Sequence, residues 1–315
     1  MLDTTKILSG FMGVCVGDAL GVPVEFSPRA ERIKSPVTKM LGDGTWNQPP
    51  GTWSDDSSLL LCLADSLCSG YDVDDIGKSF CRWYRENYWT AHGQVFDIGN
   101  TTYTAIINLE KGVPPLQAGG TGESSNGNGS LMRILPMAYL HETLTFLDLI
   151  TKVHEVSCLT HGHLRSQMAC GIYISIAVEL LQGADLPRAY LEGLEKIQEI
   201  YTNSEYIGEK SHFQRLFSGK IAELPIEQIN SGGYVIDTLE ASIWCLLNSS
   251  SYAESVLKAV NLGGDTDTTA AVTGGLAGIY YGIENIPPEW VEQTARKQDI
   301  INLSHRFAAV VSSRS

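Results

Sequence analysis

The seven residues Gly263-Gly264-Asp265-Thr266-Asp267-Thr268-Thr269 constrain this chain more than any other stretch. A glycine pair tolerates positive φ and so suits a tight turn. Here it runs into two carboxylates and three hydroxyls, and then into the apolar run Ala270 to Ile283. The Thr/Asp cluster reads as the N-cap and first turn of a helix, where anions are favoured. Capping needs one side-chain oxygen, and this turn supplies several. The following helix is nearly free of charge, so its start belongs in the interior. Unpaired carboxylates are costly there, and a hard cation such as Mg²⁺ would stabilise them through oxygen ligation.

A counterpart lies far upstream, at Gly51-Thr52-Trp53-Ser54-Asp55-Asp56-Ser57-Ser58, again followed by an apolar helix from Leu59. Two helix starts of the same chemistry are expected to face each other. Together they offer four carboxylates and at least two hydroxyls, enough for two cations roughly 4 Å apart. Spacing alone leaves ligation and simple capping both open.

The rest of the chain sets the fold class. With 43% hydrophobic residues in 315, a sizeable core is expected, and nearly every apolar pattern repeats at helical spacing. Helices are predicted from residue 7 to 16 and at 55–69, 73–89, 100–110, 143–156, 162–183, 186–200 and 207–217. Further ones are predicted at 234–248, 252–260, 267–283 and, with a break, 288–313. The expectation is one all-α domain over residues 1–315. Between Gly119 and Gly129 five of eleven residues are glycine. That segment reads either as a linker or as a loop running into a helix at Leu131, with backbone N–H groups turned toward an anion.

A net charge of −14 argues against a nucleic-acid surface, and an anionic nucleotide would need local metal and backbone donors. Seven dispersed cysteines without a Cys-x-x-Cys pair read as free thiols of a reducing compartment, so a cytoplasmic protein is expected. The uncharged stretch from Thr268 to Ile283 falls short of the roughly 20 residues that span a bilayer. No membrane partner is expected.

Motifs spread along the chain resemble the ADP-ribosylglycohydrolase family, the dinitrogenase-reductase-activating glycohydrolase type in particular. They are Gly17-Asp18-Ala19-Leu20-Gly21-Val22-Pro23-Val24-Glu25-Phe26, Trp53-Ser54-Asp55-Asp56, Asn128-Gly129-Ser130-Leu131-Met132-Arg133, Leu159-Thr160-His161, Ser231 to Leu239 and Gly264 to Thr268. They span about residues 6 to 285 in family order. Ser54 stands where the family usually has Thr, which keeps the ligating hydroxyl.

The resemblance implies an orthogonal helical bundle with a binuclear metal centre. Ser54, Asp55, Asp56, Asp265, Asp267 and Thr268 would hold two divalent cations, Mg²⁺ or Mn²⁺. It makes Glu25 the general base, where the residues alone would allow a surface carboxylate. It puts Asp97 beside the substrate, able to grip a guanidinium, with Asn100 close by; capping of the 100–110 helix is the alternative for both. Gly127, Asn128, Gly129 and Ser130 are assigned to the diphosphate and ribose, and His161 and Tyr234 to ADP-ribose. For His161 a core role or metal ligation stays open on the residues alone. Asp18 is expected to hold the turn that aims Glu25, and Arg133 to serve packing or a buried pair. The implied activity is removal of ADP-ribose from modified protein side chains, with N-linked arginine as the expected linkage. The alternatives are an O-linked substrate such as ADP-ribosyl-serine, or a silent ADP-ribose-binding protein.

Overall fold

A computed structural model describes residues 4–202 and 205–314. Among these there is no β-strand, only three isolated bridges. The helices of ten residues or more are α1 (Thr4–Gly21), α2 (Asp55–Leu67), α3 (Val73–Glu86), α4 (Asn100–Glu110), α5 (Phe146–Cys158), α6 (Leu164–Leu181), α7 (Leu186–Thr202), α8 (Val235–Leu247), α9 (Tyr252–Asn261), α10 (Thr266–Tyr281) and α11 (Lys297–Arg314).

The centre of the bundle is the pair α1 and α10. Both are apolar on all sides and almost wholly buried, as a helix enclosed by others must be. They touch backbone to backbone. A Cβ on Gly13 would lie 2.3 Å from the Gly274 carbonyl oxygen, one on Gly17 2.2 Å from that of Ala270, and one on Gly21 2.3 Å from Asp267 Cα. At the end of this seam the Thr266 hydroxyl donates to the Gly21 carbonyl at 2.8 Å. The close approach thus fixes where the acidic start of α10 sits relative to the end of α1. Helices α8 and α9 pack on α10, α2 and α11 on α1, and α5 and α7 on α6.

Three details go beyond or against the sequence pattern. First, α1 continues past the apolar stretch at residues 7–16 through Gly17-Asp18-Ala19-Leu20-Gly21, where α10 packs on one side and Asp18 meets the start of α2 on another. Second, the predicted helix at 207–217 is a series of short turns, Glu205–Gly208, Lys210–Phe213 and Gln214–Phe217. Third, Leu131 lies within a turn that begins at Gly129, not at a helix start, and a 3₁₀ segment Leu135–Leu140 follows with Pro136 in its first turn. Proline lacks the N–H that an α-helix interior would need and disfavours helical backbone in the residue before it. Two segments, Thr4–Val24 and Leu164–Leu181, are long and apolar enough to cross a bilayer, and each is 94% buried within the fold.

Candidate active site

The two acidic helix starts do face each other. Asp56 Oδ2 accepts from the Ser54 hydroxyl of its own turn at 2.9 Å and from the Thr268 hydroxyl of α10 at 3.3 Å. Capping explains little of this chemistry. Ser54 caps α2 by accepting from the Asp56 amide, whereas Asp265, at the N-cap of α10, makes no side-chain cap bond. The aspartates are therefore left for something else.

Asp18 is the exception. It is fully buried in α1 and receives the Ser54 amide on both oxygens at 2.9 and 3.0 Å. The Ser57 amide and hydroxyl reach the same carboxylate at 3.0 and 2.6 Å. Asp18 thus anchors the start of α2; the expectation that it holds the Glu25 turn is corrected. That turn is fastened to the other helix start. The Phe26 amide donates to the Gly264 carbonyl at 2.7 Å and the Gly264 amide to that of Ser27 at 2.8 Å. Gly264 has φ +76, and a Cβ there would lie 2.3 Å from the Ser231 carbonyl oxygen, so this tight turn requires glycine.

Glu25 is 4% exposed, and its Oε2 accepts from the Trp46 indole at 2.5 Å. Carboxylate oxygens of Glu25, Asp265 and Asp267 lie within 4.8 Å of one another, as do those of Asp55, Asp56 and Asp97. Burial is the first cause that pushes these acids up. Glu25 rises to about 9, with the charge of Asp97 second, and Asp97 rises to about 7. Asp55, Asp56 and Asp267 are raised well above the usual carboxylate range, burial leading again. Three buried oxygens, Asp56 Oδ1, Asp265 Oδ1 and Asp267 Oδ2, have no hydrogen-bond partner. Orphaned carboxylate oxygens in an all-oxygen nest are what a hard divalent cation satisfies, so these residues fit a metal ion.

Above the nest is a cleft of about 260 Å³. Glu25, Asp55, Asp97, Asp265 and Thr268 line it on one side; Asn100, Gly127, Asn128, Gly129 and His161 also line it. The Asn128 amide joins the two sides by donating to Asp265 Oδ2 at 2.9 Å and to the Thr238 hydroxyl at 2.9 Å. His161 packs behind the glycines, so a Cβ on Gly129 would lie 2.8 Å from its Cε1. Burial lowers its pKa to about 3, leaving a neutral imidazole whose Nδ1 pairs with the Thr160 hydroxyl at 2.7 Å. It belongs to the cleft wall and to none of the carboxylate groups. Asn100 begins α4 from an exposed position, and neither it nor Asp97 caps that helix, whose N-cap is Gly99.

Two expected contacts sit elsewhere. The Ser130 side chain is fully buried and accepts from the Ser157 hydroxyl at 2.9 Å, so its hydroxyl faces the core rather than the cleft. Tyr234 does not line the cleft; its hydroxyl accepts from Arg165 at 3.2 Å. Arg133 is buried without an acidic partner, donates to the Gly129 carbonyl at 2.6 Å, and stacks on Phe80. Sequence reading passed over Phe26, Thr102, Ser124 and Gly233 in the cleft wall, and Trp46 behind Glu25. Of these, Phe26 carried a signal as the residue beside Glu25, and Gly233 as a member of the Ser231 to Leu239 motif. Arg165 was missed as well; it ties the glycine-rich segment to a later turn through Glu123 at 3.0 Å and Glu209 at 2.7 Å.

Residues 2–315 match the family model described as ADP-ribosylglycohydrolase. ADP-ribosylarginine hydrolase Tri1 of Pseudomonas putida is 32% identical over 312 residues, covering 97% of this chain and 78% of that protein. ADP-ribosyl-[dinitrogen reductase] glycohydrolase of Rhodospirillum rubrum is 29% identical over 298 residues, with 93% and 91% covered. A solved structure, an ADP-ribosylglycohydrolase-related protein complex, superposes with a TM-score of 0.81 at 32% identity over 98% of both chains. An all-helical bundle whose two acidic helix starts meet under a glycine-walled cleft is thus the fold of a known enzyme class, and this chain belongs to the ADP-ribosylglycohydrolase family of hydrolases that remove ADP-ribose.

Proposed function

We propose that this enzyme hydrolyses the N-glycosidic bond between ADP-ribose C1″ and the guanidinium of a modified arginine, with two divalent cations, Mg²⁺ or Mn²⁺, in the acidic nest. The observation that carries the proposal is the trio of buried, unpartnered carboxylate oxygens on Asp56, Asp265 and Asp267, at the base of a cleft that Glu25 and Asp97 also line. The arginine linkage draws on the names of the relatives from Pseudomonas putida and Serratia proteamaculans, both ADP-ribosylarginine hydrolases.

Ser54, Asp55, Asp56, Asp265, Asp267 and Thr268 would hold the cations. When bound, these supply positive charge that orients the distal-ribose hydroxyls and makes water more acidic. Glu25 takes the proton of the attacking water. Its Oε2 is held by the Trp46 indole, and a carboxylate raised by burial is a stronger base than a solvated one. The water oxygen bonds to C1″, the C1″–N bond breaks, and the guanidine nitrogen keeps the electron pair and takes a proton. Asp97, at φ +61 in the cleft wall, engages the guanidinium through a charge-assisted pair. The backbone of Gly127 to Gly129 cradles the diphosphate, and neutral His161 adds a hydrogen bond without adding charge. The seven cysteines are free thiols, which fits a cytoplasmic enzyme.

The test is a panel of arginine-, serine- and cysteine-linked ADP-ribosyl peptides, assayed with Mg²⁺, Mn²⁺ or chelator. ADP-ribose released from the arginine linkage in a metal-dependent way is the expected result. Preferential release from serine would replace the linkage, and full activity in chelator would remove the metals.

A further inference from the structure

We propose that Phe26 is the aromatic face against which the leaving guanidinium stacks, and so sets the preference for arginine over neutral linkages. The inference rests on the arginine reading above.

The ring is held out into the cleft mouth. Phe26 is 64% exposed although Glu25 beside it is 4% exposed. Among the large exposed hydrophobic side chains of the described residues, it is the one that lines the cleft. Its backbone has φ +63, a region that a bulky aromatic residue seldom occupies. Two bonds lock that conformation. The Phe26 amide donates to Gly264, and the Ser27 amide closes a turn onto the Val24 carbonyl at 3.1 Å. A strained backbone that displays an apolar ring beside reacting groups points to a use for that ring.

The surroundings select a cation. Phe26 meets the edge of Trp46 at 6.5 Å between centroids, and Trp46 meets Phe96 at 5.6 Å. Trp46 donates to Glu25, and Phe96 directly precedes Asp97, so the three contacting rings adjoin two carboxylates. An aromatic face next to carboxylates favours a planar cation such as guanidinium. Adenine is the other flat group in the substrate. It is separated from C1″ by a ribose, two phosphates and a second ribose, whereas the guanidinium is bonded to C1″ itself. A ring adjoining the residue that activates water therefore meets the leaving group.

The test begins with the unaltered protein and arginine-linked peptide, where absence of release would sink the arginine reading itself. Phe26→Leu keeps apolar bulk and removes the π face; Phe26→Tyr keeps the face. Phe26→Asn is a second truncation that tolerates left-handed backbone. Thermal melts check that each variant folds. Leu and Asn are expected to lower kcat/KM on the arginine linkage about five- to thirty-fold, as loss of a cation–π contact does, while Tyr stays close to the parent. The Kd for free ADP-ribose and any turnover of the serine linkage should hold in all three. Undiminished arginine turnover in Phe26→Leu would overturn the proposal. So would an equal loss of free ADP-ribose affinity, which would assign the ring to the nucleotide.

Discussion

Removing divalent cations should make the stability of this protein fall as pH rises, and restoring them should cancel the fall. In the metal-free fold Asp97 goes from its ordinary 3.8 to about 7 and Glu25 from 4.5 to about 9, burial leading in both cases. In the unfolded chain these groups ionise near pH 4. Between those values the folded state binds more protons than the unfolded one, so stability declines with pH. The contribution is fully present below about pH 4 and is lost as pH climbs through the folded values. For Asp97 alone the difference from 3.8 to about 7 corresponds to ~4 kcal/mol, at ~1.4 kcal/mol per pH unit. With total stability of about 5–15 kcal/mol, that is a large fraction. Between pH 5 and 8 about 2.6 kcal/mol of this is lost, so at about 2 °C per kcal/mol for a chain of this size Asp97 alone should lower the melting temperature in chelator by about 5 °C. Bound Mg²⁺ or Mn²⁺ neutralises the nest, so the gap between metal-loaded and chelated melting curves should widen with pH. Asp97→Asn should flatten the slope in chelator. Parallel curves, or a gap that narrows toward pH 8, would refute the assignment of this cluster as a cation site.

Three further perturbations address other parts of the molecule. Asp265→Asn should abolish turnover, because Oδ1 is an orphaned oxygen aimed at the nest and Oδ2 already accepts from Asn128; calorimetry should show metal binding weakened as well. Gly129→Val should weaken binding of free ADP-ribose by about ten-fold or more while sparing metal affinity, since its Cβ would press on His161 at 2.8 Å and Thr102 at 3.0 Å. Unchanged affinity in a folded variant would mean that the glycine-rich segment is a linker. Gly17→Val should cost about 3 kcal/mol or more in urea melts, because a Cβ would lie 2.2 Å from the rigid backbone carbonyl of Ala270; an unchanged midpoint would show that α1 and α10 can separate freely.

The features legible in the sequence were those decided locally. Helix α4 begins and ends where its apolar spacing and its glycine and lysine flanks place it, at Asn100–Glu110. Both acidic helix starts could be read from a glycine turn, clustered oxygens and an apolar run. The 205–217 region has a helical spacing of apolar residues, yet Gly208 interrupts it, and two 3₁₀ turns and a four-residue helical turn bury Tyr206, Phe213 and Leu216. Phe26 was hidden for a different reason. Its exposure follows from a left-handed backbone fixed by a carbonyl on a turn more than two hundred residues away.

The aspartates show where local reading stops. Asp18, Asp56 and Asp267 are all fully buried, and their oxygens form one tight group. Composition gives no reason to separate them. The fold separates them by where it sends its donors. Asp18 receives two amides and a hydroxyl, and neither of its oxygens is left bare. Asp56 receives the Ser54 and Thr268 hydroxyls on Oδ2, and its Oδ1 stays bare. Asp267 engages the Thr268 amide with Oδ1 and leaves Oδ2 bare. A buried carboxylate with all its donors is structural, and one left short of them is stable only when a cation or a proton completes it. The division between scaffold and metal site is therefore set by the crossing of α1 with α2 and α10, which no stretch of sequence contains on its own.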